Sequence, residues 1–308
     1  MNMRPALVMG RNEWVLLIVL TMIWSSSYLF AQLAMDEVPV VLIVFSRVSF
    51  AALALWLVIR IRGIRFPAEP HMARRLGVLG LFNNVLPFTL VFTAQETMPT
   101  GAVAVMVAAT PLIGILLAQW MTTDERLTAA RLIGALLGLG GVAVMVGPGA
   151  LVGLGGNTIA EFLVIGASIC FAFSPLYARR LYGVEPMIVA AGQLTAASLI
   201  LLPVVAVMAP PWTLPVPSWG SIASLAVLAF ICTGLAYVLY FRIIARAGAT
   251  NTILVTILSP PGAMFLGATI LGEVLSTSQL AGFALVVIGI AVTDGRPLAW
   301  LRRGGARR

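Results

Sequence analysis

Polar and aromatic side chains recur inside long apolar runs, and their spacing decides what chemistry the chain is equipped for. Asn84, Phe88 and Gln95 fall on one face of a helical run, with Asn83 and Pro87 beside it. Thr233, Tyr237 and Tyr240 share a face in a later run, and Thr252, Thr256 and Ser259 do so in the next. Trp24, Ser27 and Tyr28 cluster early in the chain, and Phe171, Ser174 and Pro175 form a comparable cluster in its second half. Each such group costs free energy in lipid unless it faces protein or water. A cavity with aromatic walls and neutral hydrogen-bonding groups would suit small amphiphilic solutes. The competing reading is that serine and threonine only pack helices closely and bond back to their own turns.

Arg47 is the one charge well inside an apolar run. It is either a partner for a substrate carboxylate, or a gate, or a structural guanidinium satisfied by helix carbonyls and by Asn or Gln side chains on neighbouring helices. The structural role is preferred. Pro87, Pro111, Pro175, Pro260 and Pro261 interrupt otherwise apolar helices and free carbonyls one turn upstream, so they are candidate hinges or packing kinks.

Enzymatic chemistry lacks its parts. His71 is the single histidine and lies in a polar gap, and no acid pair occurs within an apolar run to act as acid and base or to hold a metal. Cys170 and Cys232 fall in separate runs with no second cysteine nearby, so buried free thiols are expected. The chain is expected to be no enzyme and to need neither metal nor cofactor.

The elements that must position these residues follow from composition. Of 308 residues 60% are apolar and 10% charged, with a mean hydropathy of +1.04, which excludes a water-soluble fold. Apolar runs of about twenty residues recur with short polar gaps, a length that suits helices in a bilayer rather than the short alternating strands of a barrel. The expected fold is an all-α integral membrane protein with ten transmembrane helices, at about 13–33, 39–59, 76–95, 99–121, 128–147, 158–178, 186–207, 218–241, 250–271 and 277–294. The first run is too long and lacks the small-residue cleavage pattern of a signal peptide, so it is expected to be retained.

The net charge of +8 invites a nucleic-acid reading, but its distribution does not support one. Every basic residue is an arginine. Apart from Arg47 they fall before the first span, in alternate gaps and in the tail, whereas the other gaps hold acids such as Asp36, Glu37 and Glu96. That pattern predicts cytoplasmic termini in a bacterial inner membrane, with the arginines facing anionic lipid. Glu125 and Glu273 begin the fifth and tenth expected helices, where the helix dipole favours a carboxylate, so a structural role is the better reading.

The chain also matches itself. At one constant offset Gly114 meets Gly262, Glu125 meets Glu273, Leu127 meets Leu275, Gly134 meets Gly282 and Gly141 meets Gly289. Two five-helix units, residues 1–150 and 151–308, are therefore expected. An odd number of spans in each would insert the second upside down, as two inverted repeats, a transporter architecture. Gly134 and Gly138, with Gly141 close to the same surface, predict tight helix packing in the fifth span.

Several short motifs carry a family resemblance over nearly the full length. They are Trp24-Ser25-Ser26-Ser27-Tyr28, Arg47 in the second span, Pro99-Thr100-Gly101, Thr110-Pro111, Glu125-Arg126-Leu127-Thr128, Gly248-Ala249-Thr250 and Gly272-Glu273. On these the chain resembles the EamA-like branch of the drug/metabolite transporter superfamily. Leu194, not a second arginine, aligns with Arg47, and the ninth-span proline is displaced to Pro260 and Pro261. The resemblance implies a ten-span exporter whose fifth and tenth helices brace the halves while the others line a central route. The expected function is export of amino acids, aromatic or other apolar ones among them, and of related small metabolites by alternating access. The alternatives are a cationic multidrug exporter and a passive metabolite channel. The expected partners are a small-molecule substrate and membrane lipids but no nucleic acid, and a monomer or weak homodimer is expected.

Overall fold

The structure, a computed structural model, describes residues 9–67, 69, 71–98, 100–122, 128–147, 158–270 and 276–294, and is helical throughout, with no strand among the described residues. In chain order the helices are α1 (Arg11–Met35), α2 (Val40–Ile61), α3 (Met72–Gln95), α4 (Thr100–Val107), α5 (Thr110–Met121) and α6 (Ala129–Val146). They continue as α7 (Thr158–Ala178), α8 (Pro186–Met208), α9 (Trp219–Ala247), α10 (Ala249–Ile270) and α11 (Thr277–Asp294). Six of them, α1, α2, α3 and α7 to α9, are long and apolar enough to cross a membrane, α7 and α8 being continued by short 3-10 turns. Glu125, Arg126, Leu127, Gly272, Glu273, Pro99, Arg4 and the arginines of the tail lie outside the described residues, as does the side chain of Tyr28.

Local chemistry sets the helix ends. Pro186 occupies the first position of α8, where its missing amide would have no helical partner anyway. The Thr128 hydroxyl accepts from the Arg131 amide at 3.3 Å to cap α6, and Ser218 caps α9 in the same way through the Ser221 amide. The Ser218 amide itself donates to the Glu37 carboxylate at 2.6 Å, tying the exposed α1–α2 link to the start of α9. That backbone bond, with a second from the Ser218 side chain, holds the Glu37 carboxyl below the usual carboxylate range.

Two of the long helices are not regular. α3 contains a π turn at Leu81–Val85 and α9 contains one at Phe230–Leu235. The segment expected as one fourth span is broken between α4 and α5. Pro111 there removes the amide that would reach the Val107 carbonyl, and the Thr110 hydroxyl bonds that carbonyl instead at 2.5 Å. Pro175, Pro260 and Pro261 lie inside unbroken α-helix.

Contacts between the halves are reciprocal. α1 packs on α9 and α10, and α7 packs on α3 and on α4 and α5. α2 meets α8 and α9, while α8 meets α2 and α3. α6 and α11 form the most extensive pair in the molecule. Their glycines explain the closeness. A Cβ on Gly134 would stand 2.5 Å from the Gly289 carbonyl oxygen and 2.8 Å from the Thr293 amide, and one on Gly282 would stand 2.5 Å from the Gly141 carbonyl oxygen. Gly134 thus faces Gly289 and Thr293, and Gly141 faces Gly282 and Val286, so the two helices run antiparallel.

The Thr293 hydroxyl stands nearest to a side chain at Gly134 and can rotate, but the Gly289 oxygen and the Thr293 amide behind it are backbone atoms, which cannot turn aside. Gly134→Ala should therefore separate the pair and cost about 1–3 kcal/mol. Gly140→Ala should be neutral or slightly stabilising, because nothing stands within 4 Å of its added carbon. Thermal unfolding of the two variants in the same detergent checks the contrast, and equal melting temperatures would count against the packing described.

Candidate functional site

The two π turns set the chemistry of the middle of the molecule. A π turn shifts an amide from the carbonyl four residues back to the one five back, which orphans a carbonyl in an apolar setting. In α3 the Leu86 amide bonds the Leu81 oxygen, and the Phe82 oxygen it passes over accepts the Ser174 hydroxyl of α7 at 2.7 Å, a proton shared with the Cys170 carbonyl of the same helix, also at 2.7 Å. In α9 the Ala236 amide bonds the Ile231 oxygen, and the Cys232 oxygen it passes over accepts the Trp24 indole N–H of α1 at 3.1 Å. Each orphaned carbonyl is thus met by a donor from the first helix of the other half.

Pro87 adds a further free acceptor. It has no amide to give Asn83, and the Tyr237 hydroxyl of α9 donates to that carbonyl at 2.8 Å. The Asn83 side chain is held from α8, donating through its amide nitrogen to Gln193 Oε1 at 3.0 Å. The mirrored contact is made by Arg47 of α2, whose Nε donates at 3.0 Å to the Thr233 hydroxyl in the other π turn. Gln193, one residue before the aligned Leu194, is thus the counterpart of Arg47. The sequence alignment missed it by a single position, although an uncharged amide deep in an apolar run was a usable signal.

Arg47 is fully buried, with its guanidinium carbon 4.0 Å from the centroid of the Phe88 ring. A desolvated cation over an aromatic face is favoured by about 2 kcal/mol or more, which offsets part of the burial cost of the charge. The other face of the site is aromatic. Phe88 meets Phe171 edge-on with centroids 5.8 Å apart, and Trp24 lies 5.9 Å from Tyr237 and 5.5 Å from Tyr240. Between these groups is a central cavity lined by Trp24, Ser27, Phe88, Phe171, Thr256 and Ser259, together with Val91, Phe92 and Val107. Its volume is about 50 Å³ for the centres of water-sized solutes, room for a few waters.

Of the side chains expected from the sequence, Trp24, Ser27, Phe88, Phe171 and Thr256 meet at the cavity. Thr233, Tyr237 and Tyr240 are buried beside Trp24 and do not line it. Asn83 and Ser174 belong to the π-turn bonding. Asn84 is fully buried, and its amide atoms find no partner among the described residues. Gln95 ends α3, half-buried and off the cavity. Phe92, Val91 and Val107 are lining residues the sequence reading passed over. Phe92 lay one turn from Phe88, but an apolar residue in an apolar helix carries no mark of facing inward. Among the described residues no cluster of histidine, cysteine or acid stands ready for a metal.

This arrangement, helices from two similar halves closing on a central cavity, is that of a membrane transporter, and comparison with known proteins agrees. The family model described as the EamA-like transporter family matches twice, over residues 12–147 and 158–293. The chain belongs to the EamA-like transporter family. It is 27% identical to a probable terminal-alkyne amino-acid exporter of Streptantibioticus cattleyicolor, over 94% of this chain and 95% of that one. It is 24% identical to the uncharacterized inner membrane transporter YedA of Escherichia coli K12, over 92% and 90%. A probable amino-acid metabolite efflux pump of Salmonella typhimurium is 23% identical, over 92% and 95%. A solved crystal structure superimposes with a TM-score of 0.76 at 20% identity, covering 92% of this chain and 98% of that one, and so shares the fold. Family and relatives indicate a transporter rather than an enzyme, in a multi-pass membrane protein.

The Tyr237 bond yields a double-mutant test. Tyr237→Phe alone should cost about 1–3 kcal/mol, because the Asn83 carbonyl is left without a donor. Pro87→Ala returns an amide to that carbonyl, so in its background Tyr237→Phe should cost less than half as much. Denaturation of the four proteins measures the coupling, and an unchanged cost would show that Pro87 is not what makes Tyr237 necessary.

Proposed function

We propose that the protein exports small amphiphilic metabolites, amino acids with apolar or aromatic side chains foremost, from the cytoplasm by alternating access to the central cavity. In this reading the helices form ten spans in the inner membrane, α4 and α5 together making one. Residues 1–150 and 151–308 are inverted halves, and both termini are cytoplasmic. The observation that carries it is the exchange symmetry of the π-turn bonds. Trp24 to Cys232 and Ser174 to Phe82 join corresponding helices with the halves swapped, and so do Arg47 to Thr233 and Asn83 to Gln193, with donor and acceptor exchanged in the second pair. Two halves bonded so equivalently can exchange conformations at little difference in free energy, which is what alternation requires. The antiparallel α6–α11 pair supports the inverted relation.

The substrate class rests on the lining and on the relatives' names. Aromatic rings offer surface to an apolar side chain, and Ser27, Thr256 and Ser259 offer neutral partners to polar groups. The cavity is too small for an amino acid as it stands, so binding must widen it, and the rings of Phe88 and Phe171 are the walls to move. The test is counterflow in proteoliposomes. Labelled phenylalanine should accumulate transiently in vesicles loaded with the unlabelled compound. Phe171→Ala should reduce the initial rate about tenfold, equivalent to roughly 1.4 kcal/mol, at unchanged abundance. Equilibration without overshoot would instead describe a channel.

Energy coupling is expected to be absent. The described carboxylates lie in links or at helix ends: Glu13 and Glu161 in first turns, and Asp36, Glu37, Glu69, Glu96 and Glu185 between helices. Arg47 keeps its proton at physiological pH. Efflux of a zwitterionic substrate at zero membrane potential should therefore be the same with and without a pH gradient. Accumulation driven by the pH difference alone would overturn this and direct attention to Glu13 or Glu161.

A further inference from the structure

A second kind of hollow lies at the end of the bundle where α1 begins and α9 ends. It is lined by Arg11, Asn12, Val15 and Leu16 of α1 and by Arg242 and Arg246 of α9, and its volume is about 430 Å³. In the sequence these arginines belong only to a diffuse basic surface. The structure assigns them to one place, and we infer that this hollow binds a single anionic diacyl phospholipid.

Charge and shape both select that occupant. Three guanidiniums converge on the hollow against one neighbouring acid, Glu13, which lies 3.8 Å from Arg246 and also accepts from the Gly10 amide. A phosphate is the group that several guanidiniums bind best, through charge-assisted hydrogen bonds. Along α1 the charged end gives way at once to apolar surface. Arg11, Val15, Ile18 and Val19 lie on one stripe of the helix, and the last three are 53%, 54% and 43% exposed. A phospholipid satisfies both parts, with its phosphate among Arg11, Arg242 and Arg246 and an acyl chain along Val15, Ile18 and Val19. Free phosphate would satisfy only the first part, and a zwitterionic lipid would bring a cation into a basic hollow.

A second basic hollow shows the difference. It is lined by His71, Arg74, Arg75, Tyr177 and Arg180, about 350 Å³ in volume. Two of its three arginines are engaged within the protein. Arg75 pairs with Glu69 at 3.6 Å and donates to the Arg180 carbonyl at 3.3 Å, while the Arg180 guanidinium lies 4.8 Å from the Tyr177 ring centre. Among the described residues no stripe of exposed large apolar residues leads away from it along α3 in the way that Val15, Ile18 and Val19 lead away from Arg11.

The test is native mass spectrometry of the full chain released from detergent, titrated with phosphatidylglycerol, with phosphatidylcholine, and with inorganic phosphate as a competitor. One phosphatidylglycerol should bind more tightly than all later ones, and phosphatidylcholine should show no such first site. Arg242→Gln with Arg246→Gln, and separately Arg11→Gln, should weaken that first site by at least about fivefold. Arg60→Gln with Arg62→Gln, which removes the same charge from the end of α2, should change it less than about twofold. Thermal unfolding confirms that each variant is folded, and Arg11→Gln keeps the test available if the double variant is not. Equal weakening by the α2 variant would reduce the site to a diffuse basic surface. Displacement of the lipid by inorganic phosphate would make it a simple anion site, and equal affinity for phosphatidylcholine would remove the role of charge. Each of these results overturns the proposal.

Discussion

A backbone carbonyl without a donor costs a helix several kcal/mol in lipid, and this protein places several of them at its centre. Two π turns and a proline free the oxygens of Phe82, Cys232 and Asn83, and each is satisfied by a side chain from the opposite half: Ser174, Trp24 and Tyr237. Hydrocarbon cannot supply the missing donors. The halves therefore come together in the register that lets those three side chains reach. Packing between apolar helices in a membrane gains little from the hydrophobic effect and is weakly selective, so polar contacts of this kind carry the specificity of the interface.

The cavity is a by-product of the same device. Trp24 spends its indole N–H on Cys232 and turns a face toward the space shared with Phe88 and Phe171. Arg47 holds the Thr233 hydroxyl and stacks on Phe88, so the wall of the cavity is backed by the one charged residue that is fully buried among the described residues. Movement of either π turn would thus move a wall. At the periphery the logic is different. α6 and α11 are joined by bare glycine backbones with no room for an added methyl group, a close-packed brace beside the irregular helices of the centre.

Irregular helices also make sense of the prolines. Pro87 follows the α3 π turn directly and Pro111 lies at the break between α4 and α5, whereas Pro175, Pro260 and Pro261 sit in continuous helix. The α9 π turn contains no proline at all, and Gly234 stands within it. A proline in the sequence marks a lost amide, but whether the helix bends there depends on who supplies the carbonyl's next donor. That donor comes from another part of the chain.

What the sequence by itself determined follows from properties that are local or additive. Hydropathy over twenty residues called for membrane helices, and the Gly114–Gly262 and Gly141–Gly289 correspondences marked the two repeats. Gly134 and Gly138 gave away the tight pair because only small residues at that spacing let backbones touch. Trp24, Ser27, Phe88, Phe171 and Thr256 were legible as lining because polar or large aromatic groups in lipid must face something. The tertiary structure decided the rest. The π turns have no sequence signature, since one extra residue in a turn costs little that composition records. Ser174 and Tyr237 were expected on the route and instead bond carbonyls, because hydroxyls that look alike in a helical pattern are told apart only by which acceptor lies within about 3 Å. The pairing of Gln193 with Asn83, and of three arginines with one apolar stripe, likewise depends on distances between helices, which no single helix encodes.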